Sequence, residues 1–360
     1  MRYQNESQFR HDTPIKTGVL LVNLGTPNSP SVADVRRYLR EFLSDPRVVE
    51  MPRFLWWLIL HGIILPSRPK YSALAYQRIW GVDGSPLLVI AKRQAAALRD
   101  NLHQRGLEAV ELALAMRYGM PSIKDGLKSL HQLGVQRILV LPMYPQYSAT
   151  TTGSVFDAIT TELRQWRWVP ELRFIHQYHD APAYINALVA TIRHFWKKHG
   201  EPEQLLFSFH GIPKAYFLAG DPYYCHCQKT ARLVVEQLNL LPKHWQVSFQ
   251  SRVGPQEWLT PYTNKQLQDW GQSGIKKVHV VCPGFSADCL ETLDEIAMEN
   301  RDVFLHAGGK EYGYIPALND DSKHITALAN LIAQHLRGWL ETSDDPTGRL
   351  TRARQMGAKT

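Results

Sequence analysis

LLFSFHGIP, residues 205–213, is the stretch from which the chain is best read. Leu205, Leu206, Phe207 and Phe209 around one serine make a short apolar run, the pattern of a strand buried on both faces. Such strands usually end in turn residues. This one ends on the imidazole of His210, followed by Gly211 and, two residues on, a proline. Runs of the same kind lie at Gly18–Leu24, Val110–Met116, Arg137–Met143, Leu172–Tyr178, Val247–Gln250, Lys277–Cys282 and Val303–His306. Between them, helical patterns cover residues 31–44, 86–105, 121–133, 153–166, 181–199, 227–239, 260–273, 288–300 and 320–338.

Strands alternating with helices imply βαβ units and parallel sheets. Eight strands suit one barrel or two doubly wound halves, and two halves are preferred because Tyr178–Pro182 makes a natural crossover. The expected division is 17–180, with a lip near 50–80, then 181–315, then a helix over 316–340 packing back on the body. Residues 1–14 and 341–360 are expected to be flexible tails.

The length of 360 residues supports two ordinary cores, and 44% hydrophobic with 21% charged residues is typical of a globular protein. The first residues are polar and include Glu6 and Asp12, unlike a signal or transit peptide. Phe54–Pro66 (FLWWLILHGIILP) is the most apolar segment, but a bilayer crossing takes ~20 residues. A cytoplasmic location is therefore expected. The net charge of +8 attracts anions, yet the basic residues are dispersed and carry no base-reading motif, so no nucleic-acid partner is expected. Cys225, Cys227, Cys282 and Cys289 suit neither a disulfide framework nor a zinc finger; a cluster built from all four is an outside alternative.

Open parallel sheets bind ligands beyond the carboxyl ends of their strands. Those ends lead into Asn23–Pro27, Met116–Gly119, Tyr144–Ser154, His210, Ser251–Pro255 and Cys282–Glu291. No glycine-rich nucleotide signature, serine-nucleophile elbow or zinc-protease motif occurs there. What remains is one histidine, many aromatics and the acidic stretch DCLETLDEI (288–296). On an α-helix Glu291 and Glu295 share one face, with Ser286 or Asp288 as a cap. His210 and Glu291 leave strands of one sheet, and an imidazole facing carboxylates can hold a divalent cation briefly and accept protons. Each signal has a plainer explanation when taken singly. His210 then closes a strand, the glutamates form a solvated helix face favoured by the dipole, and Trp56, Trp57 and Tyr144 pack in a core.

Together, GVLLVNLGTP, YQRIWGVDGSP, MRYGMP, YPQYSATTTGS, LLFSFHGIP, GDPYY, FQSRVGPQEWLTPYT and CPGFSADCLETLDEI resemble the ferrochelatase family in order, from about Gly18 to Leu336. The resemblance implies an α/β fold of two Rossmann-like, chelatase-like domains with four-stranded parallel sheets and the active-site cleft between them. It implies a lyase that inserts Fe2+ into protoporphyrin IX, releasing two protons, in the last step of haem biosynthesis. His210 and Glu291 fall on the catalytic and metal-handling positions, and Glu295 on an acidic path to the site. Leu24 faces the opposite side of the macrocycle, Arg117 and Tyr118 match an Arg-Tyr pair, Arg68 lies at the pocket mouth and Trp258 lines the pocket. Tyr76, Tyr144, Ser148 and Ser286 complete the implied substrate contacts.

The resemblance also implies that no cofactor is required, iron being a substrate. Ala149 stands where animal members carry a cysteine and no cysteine follows Cys289, so their 2Fe–2S cluster is not expected. Phe54–Pro66 resembles the family's lip, implying peripheral membrane contact, and the chain is expected as a monomer or a homodimer. Competing readings are a chelatase for coproporphyrin or for cobalt or nickel, a porphyrin-binding module without catalysis, and a metal hydrolase. The cobalt and nickel enzymes tend to carry a second histidine where this chain has Glu291.

Overall fold

Lys16–Thr26 (β1) is buried almost without a break over its 11 residues, as in a central strand of a parallel sheet covered by helices on both faces. The structure, a computed structural model, describes residue 3, residues 10–340 and residues 345–358. After β1 come α1 (Val32–Leu43), α2 (Arg53–Ile59), a π-helical turn at Leu60–Ile64, α3 (Leu65–Ile79), α4 (Pro86–Gln104), β2 (Val110–Gly119), α5 (Ile123–Gln132) and β3 (Val135–Pro142). A second π-helical turn (Ala149–Gly153), α6 (Ser154–Leu163) and β4 (Glu171–Phe174) come next. The second half runs α7 (Pro182–His199), β5 (Gln204–His210), α8 (Lys214–Leu218), α9 (Tyr223–Leu238), β6 (Trp245–Gln250), α10 (Thr263–Gln272), β7 (Lys277–Val281), a π-helix (Glu291–Asn300), α11 (Arg301–His306) and β8 (Glu311–Ile315). It closes with α12 (Ser322–His335) and α13 (Pro346–Gln355).

The strands form two four-stranded sheets, ordered β2-β1-β3-β4 and β6-β5-β7-β8, and every pairing is parallel. One apolar core joins them: Val19, Leu21 and Leu139 of the first sheet pack in the same cluster as Ile192 of α7, Phe207 of β5 and Leu328 of α12. The expected α/β class with paired parallel sheets is what the chain forms. Gly25 shows how tightly β1 and β2 run: its φ is +109°, and a Cβ there would lie 1.7 Å from the Tyr118 carbonyl oxygen. Only glycine meets both conditions.

Three expectations need correction. Val303–His306 is helical, as α11, and the eighth strand is Glu311–Ile315; an apolar run that short does not separate helix from strand. Leu172–Tyr178 supplies a strand only over Glu171–Phe174. Part of the supposed flexible tail is a helix, α13, capped by the Asp345 side chain, which accepts from Gly348 N at 2.8 Å. Arg349 of that helix donates to Thr13 O at 2.8 Å. Residues 1–2, 4–9, 341–344 and 359–360 lie outside the described residues.

Candidate active site

Each sheet reverses its strand order beside the strand that begins it, β1 in one and β5 in the other, and a crevice opens at the carboxyl end of such a strand. β5 ends in His210, and β7 leads into the segment that carries Glu291. From the other sheet, Leu24 at the end of β1 packs against the cluster of Leu87, Ile90, Ala287 and Cys289 and, like Leu290, against a second cluster. The two crevices therefore meet between the end of β1 and the π-helix.

His210 is half-buried, and its Nδ1 lies 2.7 Å from the Gly211 carbonyl oxygen. A carbonyl only accepts, so Nδ1 carries the proton and, in the neutral ring, Nε2 is left as an acceptor. Gly211 N donates to Gln250 O at 2.8 Å. A Cβ at 211 would lie 2.9 Å from that oxygen and 3.0 Å from Trp258 Cε3. The turn after the imidazole thus has room only for glycine, because the Trp258 indole is laid against it.

The acidic segment is wound differently from expectation. The predicted α-helix over 288–300 is a π-helix at Glu291–Asn300, a form often found at functional sites. Neither proposed cap serves it. Asp288 accepts from Thr292 Oγ1 at 3.0 Å, Tyr314 OH at 2.5 Å and Asn319 Nδ2 at 2.8 Å, while buried Ser286 Oγ has no partner among the described residues. Gln250 Nε2 donates to Glu291 O at 3.3 Å. Ser251 donates to the Glu295 carboxylate from its amide at 2.7 Å and also from its hydroxyl. Burial raises the Glu295 pKa, and Glu291 adds to that, while Ser251 and His210 act against it.

Aromatic side chains pack beside this junction. Tyr38, Tyr76, Tyr118 and Trp56 are buried in one cluster, and Leu24 packs against that cluster. Burial first, and then the Glu291 charge, push the Tyr76 phenol well above its ordinary range. The Tyr144 hydroxyl is buried without a partner among the described residues.

Other expected contacts are held in supporting networks. Tyr118 is 1% exposed, and its hydroxyl donates to Asp45 Oδ2 at 2.8 Å. The same oxygen accepts from Arg117 Nη2 at 2.5 Å and Ser154 Oγ at 2.6 Å. Arg117 also donates through Nε to Ser154 Oγ at 2.6 Å. Ser148 Oγ donates to Asp221 Oδ2 at 2.9 Å, which clamps the YPQYS loop to the second half. Arg68 is exposed on α3.

Sequence reasoning missed Asp45, Gln250, Ser251 and Asp221. It also missed the fork from Arg78 on α3 to Asp294 of the π-helix, at 2.5 and 2.7 Å. That pair ties the lip to the acidic helix, with the Asp294 side chain only 6% exposed. Among the described residues no set of three His, Cys, Asp or Glu side chains is arranged to hold a metal ion.

A ferrochelatase family profile matches residues 16–336. The chain is 58% identical to the ferrochelatase of Nitrosococcus oceani over 341 residues, covering 95% of this chain and 92% of that one. It is 52% identical to the ferrochelatase of Thioalkalivibrio sulfidiphilus over the full length of both. Among solved structures, the sirohydrochlorin chelatase SirB of Bacillus subtilis subspecies spizizenii, in complex with cobalt, matches with a TM-score of 0.52 at 11% identity, covering 91% of this chain and 98% of that one. SirB from Bacillus subtilis with Fe3+ matches with a TM-score of 0.50 at 14% identity, covering 90% and 97%. At such identities the likeness is one of fold.

Proposed function

The chain belongs to the ferrochelatase family and is an enzyme that inserts iron into a porphyrin for haem synthesis; from that premise we propose that the porphyrin is protoporphyrin IX and that insertion takes place where the two crevices meet. A free-base porphyrin and Fe2+ give the iron porphyrin and two protons. Two pyrrole N–H bonds must therefore break, and their protons need an acceptor beside the ring. The observation that carries the reading is the His210 tautomer: Nδ1 is committed to Gly211 O, so the neutral ring keeps Nε2 as the base. Glu291 and Glu295 continue from it along the π-helix and take protons onward; burial raises the Glu295 pKa, so it binds a proton more readily than an exposed glutamate.

Leu24, Tyr76 and Trp258 grip the macrocycle. Gripping it between a strand end and a helix favours a bent ring that exposes its nitrogen lone pairs. Arg68 at the mouth meets the propionates as a charged donor. Arg117, Tyr118 and Ser148 act from behind by fixing the walls.

The lip gives the reading a location. Phe54, Trp57 and Ile63 are 78%, 56% and 65% exposed, beside Arg53 and Lys70. No helix among the described residues is long and apolar enough to cross a membrane. A cytoplasmic enzyme whose lip rests on the membrane surface, where an apolar porphyrin partitions, accounts for both features.

The test is anaerobic incubation of the protein with Fe2+ and either protoporphyrin or coproporphyrin, followed by absorption. Turnover with protoporphyrin is expected. Metal insertion into coproporphyrin alone would overturn the substrate assignment.

A further inference from the structure

We infer that Ser251 is a positioning residue for the reaction, holding the Glu295 carboxylate of the π-helix in place through its amide and its hydroxyl together. The inference rests on the function proposed above.

Ser251 is the first residue after β6 and has a φ of +65°. The other non-glycine residues with positive φ are Asn239 and Asn319 among the described residues, and asparagine tolerates that region far better than serine does. Glycine is the residue this backbone ordinarily selects, so a serine here points to a use for its side chain. The left-handed turn takes the amide off the strand ladder and aims it at Glu295 Oε1, 2.7 Å away, while Oγ donates to Oε2. One residue thus grips both oxygens. Each carboxylate oxygen accepts along two directions, so one direction on each stays free for a proton.

The preceding residue completes the grip. Gln250 Nε2 donates to the Glu291 carbonyl at 3.3 Å, and its Oε1 accepts from Ser208 Oγ at 2.6 Å. Ser208 is in turn 2.8 Å from Thr263 Oγ1. The Gln250-Ser251 pair therefore fixes the backbone of Glu291 and the carboxylate of Glu295 from a strand-anchored base. Without the hydroxyl, the carboxylate keeps one bond and can pivot about it.

Ser251→Gly and Ser251→Thr separate this role from a structural one. The glycine variant keeps the amide donor and relieves the backbone. It is expected to melt at or above the wild-type temperature and to bind protoporphyrin within about twofold, with kcat for iron insertion lower by about 10-fold. The threonine variant keeps a hydroxyl on a stiffer side chain. It is expected to melt lower yet to hold kcat within about threefold of wild type. Wild-type kcat in Ser251→Gly overturns the inference, whatever the threonine variant does. Iron insertion absent from the wild-type protein overturns the function itself and this inference with it.

Discussion

Asp45→Asn tests the network behind the aromatic wall at nearly constant volume. Oδ2 accepts from Arg117, Tyr118 and Ser154 at 2.5, 2.8 and 2.6 Å, and Oδ1 accepts from Arg47 N at 2.8 Å. An asparagine amide offers one acceptor oxygen and one NH2 donor. With its oxygen in the Oδ2 place, the NH2 opposes the Arg47 amide; turned over, it opposes three donors. The first orientation is the less costly, and it still loses one charge-assisted bond, about 1.5–3 kcal/mol. It also leaves the Arg117 guanidinium, 17% exposed, without its counter-charge. Removing one partner of a buried pair typically costs about 3–5 kcal/mol, but Arg117 keeps its bonds to Ser154. A net loss of about 3 kcal/mol results. Unfolding entropy of ~2.1 cal/mol/K per residue over 360 residues converts that to a fall of about 4 °C in Tm. Differential scanning calorimetry on both proteins measures it. A shift of less than about 1 °C would refute the reasoning, because it would mean that the network carries no net stability.

Other perturbations give equally definite outcomes. Gly211→Ala places a Cβ 2.9 Å from Gln250 O and 3.0 Å from the Trp258 ring, so it should destabilise by about 1–3 kcal/mol, measured by denaturant midpoint, and depress insertion by displacing His210. Burial, then Lys277 and His199, hold His279 down to about 4. An unfolded histidine titrates near ~6.5, so between those values the unfolded chain binds a proton that the folded one does not. Stability should then fall as pH drops through that window, by about 1.4 kcal/mol per pH unit from this residue, and His279→Leu should flatten the measured slope by that amount. Cys225 is exposed while Cys227, Cys282 and Cys289 are buried, and burial raises all three buried thiols. A thiol reagent should label Cys225 in the native protein and the remaining cysteines only after unfolding.

The fold was legible wherever burial on both faces leaves an unbroken apolar run, as in GVLLVNL and LLFSFH. It was illegible where packing set the choice. β8 reads EYGYI because Gly313 must clear His279, where a Cβ would lie 2.5 Å from the ring, and that glycine breaks the strand pattern. The π-helix could not be told from an α-helix, since ten residues make too few turns for the sequence pattern to separate the two periods. His210 and Glu291 stood out as candidates because each lies at or after the carboxyl end of a buried strand, where a parallel sheet places its ligands. Asp45 and Ser251 were not, because single polar loop residues carry no signal until the fold brings their partners in. Arg117 reaches Asp45 from 72 residues away, and Glu295 reaches Ser251 from 44.

The central claim is that His210 takes the porphyrin's protons where the two crevices meet. Anaerobic iron insertion by the wild type and by His210→Ala, with porphyrin binding followed by fluorescence quenching, tests it most directly. The account predicts protoporphyrin binding within a few-fold of wild type and an insertion rate lower by about 100-fold or more. Wild-type insertion by a folded His210→Ala protein would contradict it.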